Sequence, residues 1–219
     1  MPDSQSLKPY QTIQKAGESE IVINKSRFLG YCIPVSSEEA AQDALAQIRK
    51  KHYDARHCCY AFRLHAGGIV RSSDDGEPSG TAGAPILSVL SGTGVENVLC
   101  AVVRYFGGVL LGTGGLVRAY GKAASEALAQ AGTLQIRVCA RLRVAVSYSS
   151  YNLLEPMIRQ KGYPFEAAYS DQVELTLLLP AEESDALSAW ITEKTDGSAK
   201  IQTLGQSLEA YRPTNQLPD

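Results

Sequence analysis

No stretch of this chain approaches the roughly 20 apolar residues that a membrane-spanning helix needs. Its first residues, Met1 to Lys15, are polar and lack the apolar core of a secretion signal. Charge of one sign is missing too. The 21 Lys and Arg stand against 23 Asp and Glu, a net charge of −2. Residues 1–136 carry 13 basic and 12 acidic side chains, and residues 137–219 carry 8 and 11. No basic tail or polybasic run exists, which disfavours a protein that grips nucleic acid by bulk charge and leaves only a local basic patch open. Sequence-specific DNA binding is not expected. The five cysteines (Cys32, Cys58, Cys59, Cys100, Cys139) are odd in number and show no C-x-x-C spacing. All lie in apolar or strand-like runs, as buried free thiols of a reducing compartment do. A cytoplasmic protein without membrane contact is the expectation.

The common nucleotide signatures are also absent. A phosphate loop needs Gly-Lys before Ser or Thr, and here Gly121-Lys122 leads to Ala123. A dinucleotide loop needs Gly-x-Gly-x-x-Gly, and after Gly112 and Gly114 the third glycine is replaced by Val117. His52, His57 and His65 show no metal-ligand spacing. His57 and Cys58 are strand neighbours that point to opposite faces, which argues against a Cys–His nucleophile pair.

What is present is a chain of 219 residues, 44% hydrophobic, enough for one large domain or two modest ones. Ser19 to Val35 reads as two strands interrupted near Lys25-Ser26. Ser36 and Glu39 form a capping box ahead of a helix with Ala40, Ala41, Ala44, Leu45 and Ile48 at helical spacing. Cys58 to His65 and Gly68 to Ser73 read as a hairpin, followed by a short helix at Ala84 to Leu90 and a buried strand at Asn97 to Phe106. A longer helix runs to about Ala131 and stops at Gly132.

A second unit begins near Thr133 to Ile136. Val138, Ala140, Leu142, Val144 and Val146 alternate with Arg137, Cys139, Arg141, Arg143 and Ala145, the pattern of a strand with one wet face. Ser147 to Lys161 is helical, with Tyr151, Leu154, Met157 and Ile158 on one face; Pro156 implies a kink or a late start. A hairpin turned at Ser170-Asp171, a helix over Ala181 to Thr195 that buries Leu187, Trp190 and Ile191, and a strand at Lys200 to Ser207 complete it. The order β-α-β-β-α-β is the ferredoxin-like pattern. The expected division is therefore a first domain at 1–135, a ferredoxin-like domain at 136–211 and a loose tail at 212–219.

Two glycine-rich stretches carry the functional signal. Each lies where a strand hands over to a helix, a place that favours close backbone approach and anions. The first, Asp74 to Gly83, holds Asp74, Asp75 and Glu77 beside Ser79 and Thr81. These are hard oxygen groups that either cap a helix or pair with Arg104 or Arg118, or else offer ligands to Mg²⁺. The second, Arg104 to Tyr120, contains Tyr105, Gly107, Gly108, Gly112, Gly114, Gly115 and Arg118. Either its arginines pair with the acidic loop, or they contact a phosphate or another anion. Lys25-Ser26-Arg27-Phe28 adds basic and aromatic surface, and His57 completes the candidate binding set.

Lys25 to Phe28, His57 to Phe62, Asp74 to Gly83 and Arg104 to Tyr120, taken together, resemble the IMPACT/YigZ family, in its bacterial form, over essentially the whole chain. Cys58 stands where many members have Asn or His, which further weakens that thiol as a nucleophile. The resemblance implies an α+β protein of two domains. The first would share the α/β fold of the second domain of a small-subunit ribosomal protein, and the second would resemble the last domain of elongation factor G. It also implies a theme of translation regulation by contact. The expected function is a non-enzymatic binding protein that contacts RNA, the ribosome or a ribosome-associated protein. Lys25, Arg27, Arg104 and Arg118 would meet phosphates and Tyr105 and Tyr120 would stack, with no cofactor. The alternative is an enzyme acting on a small phosphorylated metabolite with Mg²⁺ at Asp74, Asp75 and Glu77.

Overall fold

The computed structural model describes residues 7–211, so the tail expected at 212–219 lies outside the described residues. These form two compact units that part between Leu134 and Gln135, residues 7–9 belonging with the second.

The first unit contains, in chain order, β1 (Tyr10–Ile13), β2 (Gly17–Ile23), β3 (Ser26–Pro34), α1 (Glu38–Lys51), β4 (His57–Arg63), β5 (Val70–Ser73), α2 (Gly83–Thr93), β6 (Val98–Tyr105) and α3 (Gly112–Ala131). Its sheet has the order β2-β3-β6-β4-β5, with antiparallel neighbours throughout. The central strand, β6, is apolar on both faces because both are covered. Val98, Cys100 and Val102 meet Ile86 and Leu90 of α2 and Tyr120, Ala123 and Ala127 of α3. Leu99, Ala101 and Val103 meet Ala41, Leu45 and Ile48 of α1. The period of two along one strand thus feeds two cores and makes a helix–sheet–helix sandwich. Asn24 and Lys25, both at positive φ, close the β2–β3 hairpin as a two-residue turn. The expected cap of α1 shifts by one residue: Ser37, not Ser36, accepts from the Ala40 amide at 3.1 Å, because the helix begins at Glu38. Gly132 ends α3 as expected, its amide turned back to Leu128 and Ala129.

The second unit contains most of β7 (Thr133–Val146), then α4 (Tyr148–Lys161), β8 (Phe165–Tyr169), β9 (Val173–Pro180), α5 (Ser184–Lys194) and β10 (Lys200–Glu209). The elements follow one another as β-α-β-β-α-β, and the strands lie in the order β10-β7-β9-β8, all antiparallel. Leu142, Val144, Leu175 and Leu177 share a core with Leu154 and Ile158 of α4 and Leu187 and Ile191 of α5. Arg141, Arg143 and Glu174 occupy other positions of the same strands, with Arg143 and Glu174 paired at 3.2 Å.

Three details depart from the sequence reading. Cys139 and Ala145, placed on the wet face, are buried; Cys139 lies between Pro180 and Ser207 of the flanking strands. Met157 is exposed rather than in the core. Of the two outcomes expected at Pro156, the late start is not realised: α4 starts at Tyr148 with the proline inside it. The proline is on the solvent side, where the carbonyl that loses its amide partner is open to water.

Candidate functional site

The row Phe28–Arg104–His57 runs in register across one end of the first sheet and faces α2 and α3. Over it close the Asp74–Gly83 loop and Tyr120 of α3. Arg104 is 7% exposed, Glu77 9% and Tyr120 fully buried. Glu77 Oε1 accepts from Arg104 Nη1 and from the Tyr120 hydroxyl, both at 2.7 Å. The Arg104 guanidinium lies between the rings of Phe28 and Phe106, 5.4 and 5.5 Å from their centroids. Burying this ion pair is costly, and the two rings, the tyrosine and the short geometry compensate. Arg104 is paired with the acidic loop, as one of the two accounts open in the sequence has it, and Glu77 is its partner.

The other two carboxylates of that loop are also committed. Asp74 accepts from the amides of Gly80, Ala82 and Gly83 at 2.8–3.0 Å and so closes the loop onto the first turn of α2. Burial pushes its pKa upward, but these three donors outweigh it and leave the carboxyl below its ordinary value. Asp75, at φ +42°, accepts from the Cys58 amide at 2.7 Å and from Arg49 at 2.8 Å. Its carbonyl receives the Nδ1 hydrogen of His57 at 2.8 Å, which fixes that histidine's tautomer. Gly76 passes so close to this imidazole that a β-carbon would lie 3.3 Å from Nδ1, at a φ of +86° that favours glycine. Among the described residues no three His, Cys, Asp or Glu side chains gather as a metal requires. Burial pushes the Cys58 thiol up to about 11 and Cys59 up to about 12, so neither is a thiolate near neutral pH.

Arg27 and Tyr105 face the opposite side of the sheet, toward α1. Arg27 pairs with Glu20 at 2.8 Å and lies over the Tyr105 ring. Tyr105 donates to Asp54 at 3.0 Å and therefore accepts from His52 Nδ1 at 2.9 Å, while His52 Nε2 accepts from Tyr31 at 2.7 Å. This chain needs a neutral imidazole; burial, and then the Lys51 charge, lower the His52 pKa accordingly.

The second glycine loop is different. Gly107 lies against the β2–β3 turn, where a β-carbon would come within 2.0 Å of the Lys25 carbonyl carbon, and its amide donates to the buried Ser26 hydroxyl at 3.1 Å. Beyond it the chain turns outward. Phe106 is 51% exposed, Val109 43%, Leu110 85% and Val117 40%. Gly108 and Gly114 are exposed, and Gly115 packs on Leu111. Lys25 and Arg118 stand exposed beside this apolar strip and make no hydrogen bond or ion pair among the described residues. A cleft of about 390 Å³ opens at its base between Asp54, Arg56, Arg104, Tyr105 and Phe106.

The sequence-predicted residues therefore separate into a buried group (Glu77, Arg104, Tyr120), a closing group (His57, Asp74, Asp75), a group on the α1 side (Arg27, Tyr105), two packed glycines (Gly107, Gly115) and an open rim (Lys25, Gly108, Gly114, Arg118). Phe106, Val109, Leu110 and Arg56 were not singled out from the sequence. The signal was there in three apolar residues, Val109-Leu110-Leu111, flanked by glycines outside any periodic element.

Fold and loops together define a two-unit α+β protein whose first unit is an Impact N-terminal domain, matched over residues 24–128; a domain of unknown function (DUF1949) is matched over residues 144–198. The chain is 39% identical to the IMPACT family member YvyE of Bacillus subtilis over 198 residues, 90% of this chain and 91% of that protein. It is 37% identical to the IMPACT family member YigZ of Escherichia coli over 183 residues, 82% of this chain and 90% of that one. Protein IMPACT of Rattus norvegicus is 31% identical over 117 residues, 51% of this chain and 35% of that protein. A solved structure described as a hypothetical protein superposes with a TM-score of 0.59 at 33% identity, covering 91% of this chain and 98% of that one. The chain belongs to the IMPACT family.

Proposed function

We propose that this chain is a non-enzymatic cytoplasmic protein of translation that binds RNA of the ribosome through the Phe106–Arg118 strip and the cations beside it. One observation carries the reading: the loop presents an aromatic ring and aliphatic side chains to solvent next to Lys25 and Arg118, cations with no partner among the described residues. Aromatic surface framed by free cations suits single-stranded RNA, whose bases stack while its phosphates take the charge. Glu77 supports the strip from beneath by holding Arg104 through one of its terminal nitrogens. The β-α-β-β-α-β order of the second unit suits a ferredoxin-like domain, and we assign the first unit to the ribosomal-protein domain fold that the family resemblance implies. A ribosome-associated protein is the rival partner, favoured by Leu110, an aliphatic side chain that no base or phosphate needs.

Co-sedimentation with ribosomes across a salt series, beside the Lys25→Ala/Arg118→Ala variant, tests this. The expected result is association that falls with salt and a variant with a shallower slope, by about 0.7–0.9 per phosphate contact removed. Protein left at the top of the gradient at every salt concentration would sink the reading.

A further inference from the structure

We infer that the cleft between Arg56, Arg104 and Phe106 is a nucleoside-phosphate subsite, with the phosphate between the two arginines and the base against the Phe106 ring. The inference rests on the reading above and names the chemistry that the site takes.

Arg104 lines this cleft while being more than nine-tenths buried, and its Nε finds no hydrogen-bond acceptor among the described residues. Buried donors of this kind are rare because desolvation without a partner is unfavourable, and for a guanidinium the cost is greater than for a neutral group. Its Nη1 is held by Glu77 and its Nε is buried without an acceptor, so among the described residues Nη2 is the unengaged donor of the planar fork that an incoming oxygen meets first. Arg56 lines the same cleft, is exposed, and makes no hydrogen bond or ion pair among the described residues. Asp54 is the carboxylate on the rim. It accepts the Tyr105 hydroxyl, itself held by His52, and this fixes it at the edge of the cleft. Phe106 lies over the Arg104 guanidinium and is half exposed, so one face of its ring is engaged and the remainder is open to stack. The volume, about 390 Å³, is at the lower end of the about 300–1,000 Å³ of small-ligand sites and suits one nucleotide.

A free nucleotide and one residue of an RNA strand share this chemistry. The test uses Phe106→Trp in a Trp190→Phe background, which leaves a single indole in the cleft. It is titrated with uridine monophosphate, a short oligouridylate and inorganic phosphate, and melting curves confirm that each variant is folded. The expected result is saturable quenching by the oligonucleotide or by the mononucleotide, but none by inorganic phosphate. Binding should weaken about tenfold or more in Arg56→Ala, and again in Arg104→Lys, which keeps the charge and loses Nε. Quenching by the oligonucleotide alone identifies a strand as the source, and equal quenching by the mononucleotide identifies a metabolite. Absence of quenching with both, or affinities unchanged by Arg56→Ala, would overturn the subsite. Ribosome association that survives such a result would leave the broader reading standing. Mononucleotide binding by a protein that never sediments with ribosomes would instead keep the subsite and remove the role in translation.

Discussion

The two glycine-rich loops of the first unit are alike in composition and opposite in what they do. In Asp74–Gly83 every carboxylate points inward to a donor of the protein itself: three amides at Asp74, an amide and Arg49 at Asp75, Arg104 and Tyr120 at Glu77. In Phe106–Gly112 the anchored residue is Gly107, and the Val109 and Leu110 side chains that follow face solvent. The acidic loop, rich in groups that look chemical, is a clamp. The second loop, which carries fewer such groups, is the surface. A polar residue in a loop signals function only after its own protein has failed to satisfy it, and exposed aliphatic side chains are the stronger sign.

This contrast breaks most visibly at Glu77. Glu77→Ala leaves the Arg104 guanidinium and the Tyr120 hydroxyl buried without their acceptor, and we expect a loss of about 3–5 kcal/mol in urea unfolding. Gly107→Ala comes next. Its methyl group would meet the Lys25 backbone at 2.0 Å, so the hairpin must shift, at a cost of about 1–3 kcal/mol by the same measurement.

Asp74→Asn replaces the oxygen that accepts from the Gly80 amide by a donor and should cost about 0.5–1.5 kcal/mol near neutral pH, and its effect carries a pH signature. The folded carboxyl lies below the unfolded value of about 3.9, so its stabilisation is full above that value and is lost as pH falls through the folded pKa. The stability gap between wild type and Asp74→Asn should therefore narrow progressively below about pH 4. A gap that stays constant down to acid unfolding would remove Asp74 as the charged clamp. The smallest change in the clamp is Arg49→Ala, whose half-exposed pair with Asp75 contributes about 0.2–1 kcal/mol.

The frame of this molecule was legible in its sequence because short-range signals carry it. Gly132 ends α3, the break between the first two strands of the sheet falls within one residue of the expected Lys25-Ser26, and the unbroken apolar run of β6 announces a strand covered on both faces. Resolution failed where two signals lay one residue apart, as with Ser36 and Ser37, or where an apolar residue sat at the margin of a helical stripe, as with Met157. The pairing of Arg104 could not be read, because three carboxylates about 30 residues upstream were equally available to it and only the fold brings Glu77 beneath it. The exposure of Leu110 was hidden for a related reason: an apolar residue next to glycine reads as buried or exposed only once the neighbouring hairpin is in place.

The most direct test sets the two loops side by side in one experiment. Phe106→Ala/Leu110→Ser and Asp74→Ala are compared with wild type for unfolding in urea and for salt-dependent sedimentation with ribosomes. The account predicts that the surface-loop variant loses no more than the about 0.5–1 kcal/mol of the Phe106–Arg104 contact, stays folded and no longer sediments. It predicts that Asp74→Ala loses stability yet, while folded, sediments as wild type does. A surface-loop variant that still sediments, or a folded Asp74→Ala that does not, would contradict it.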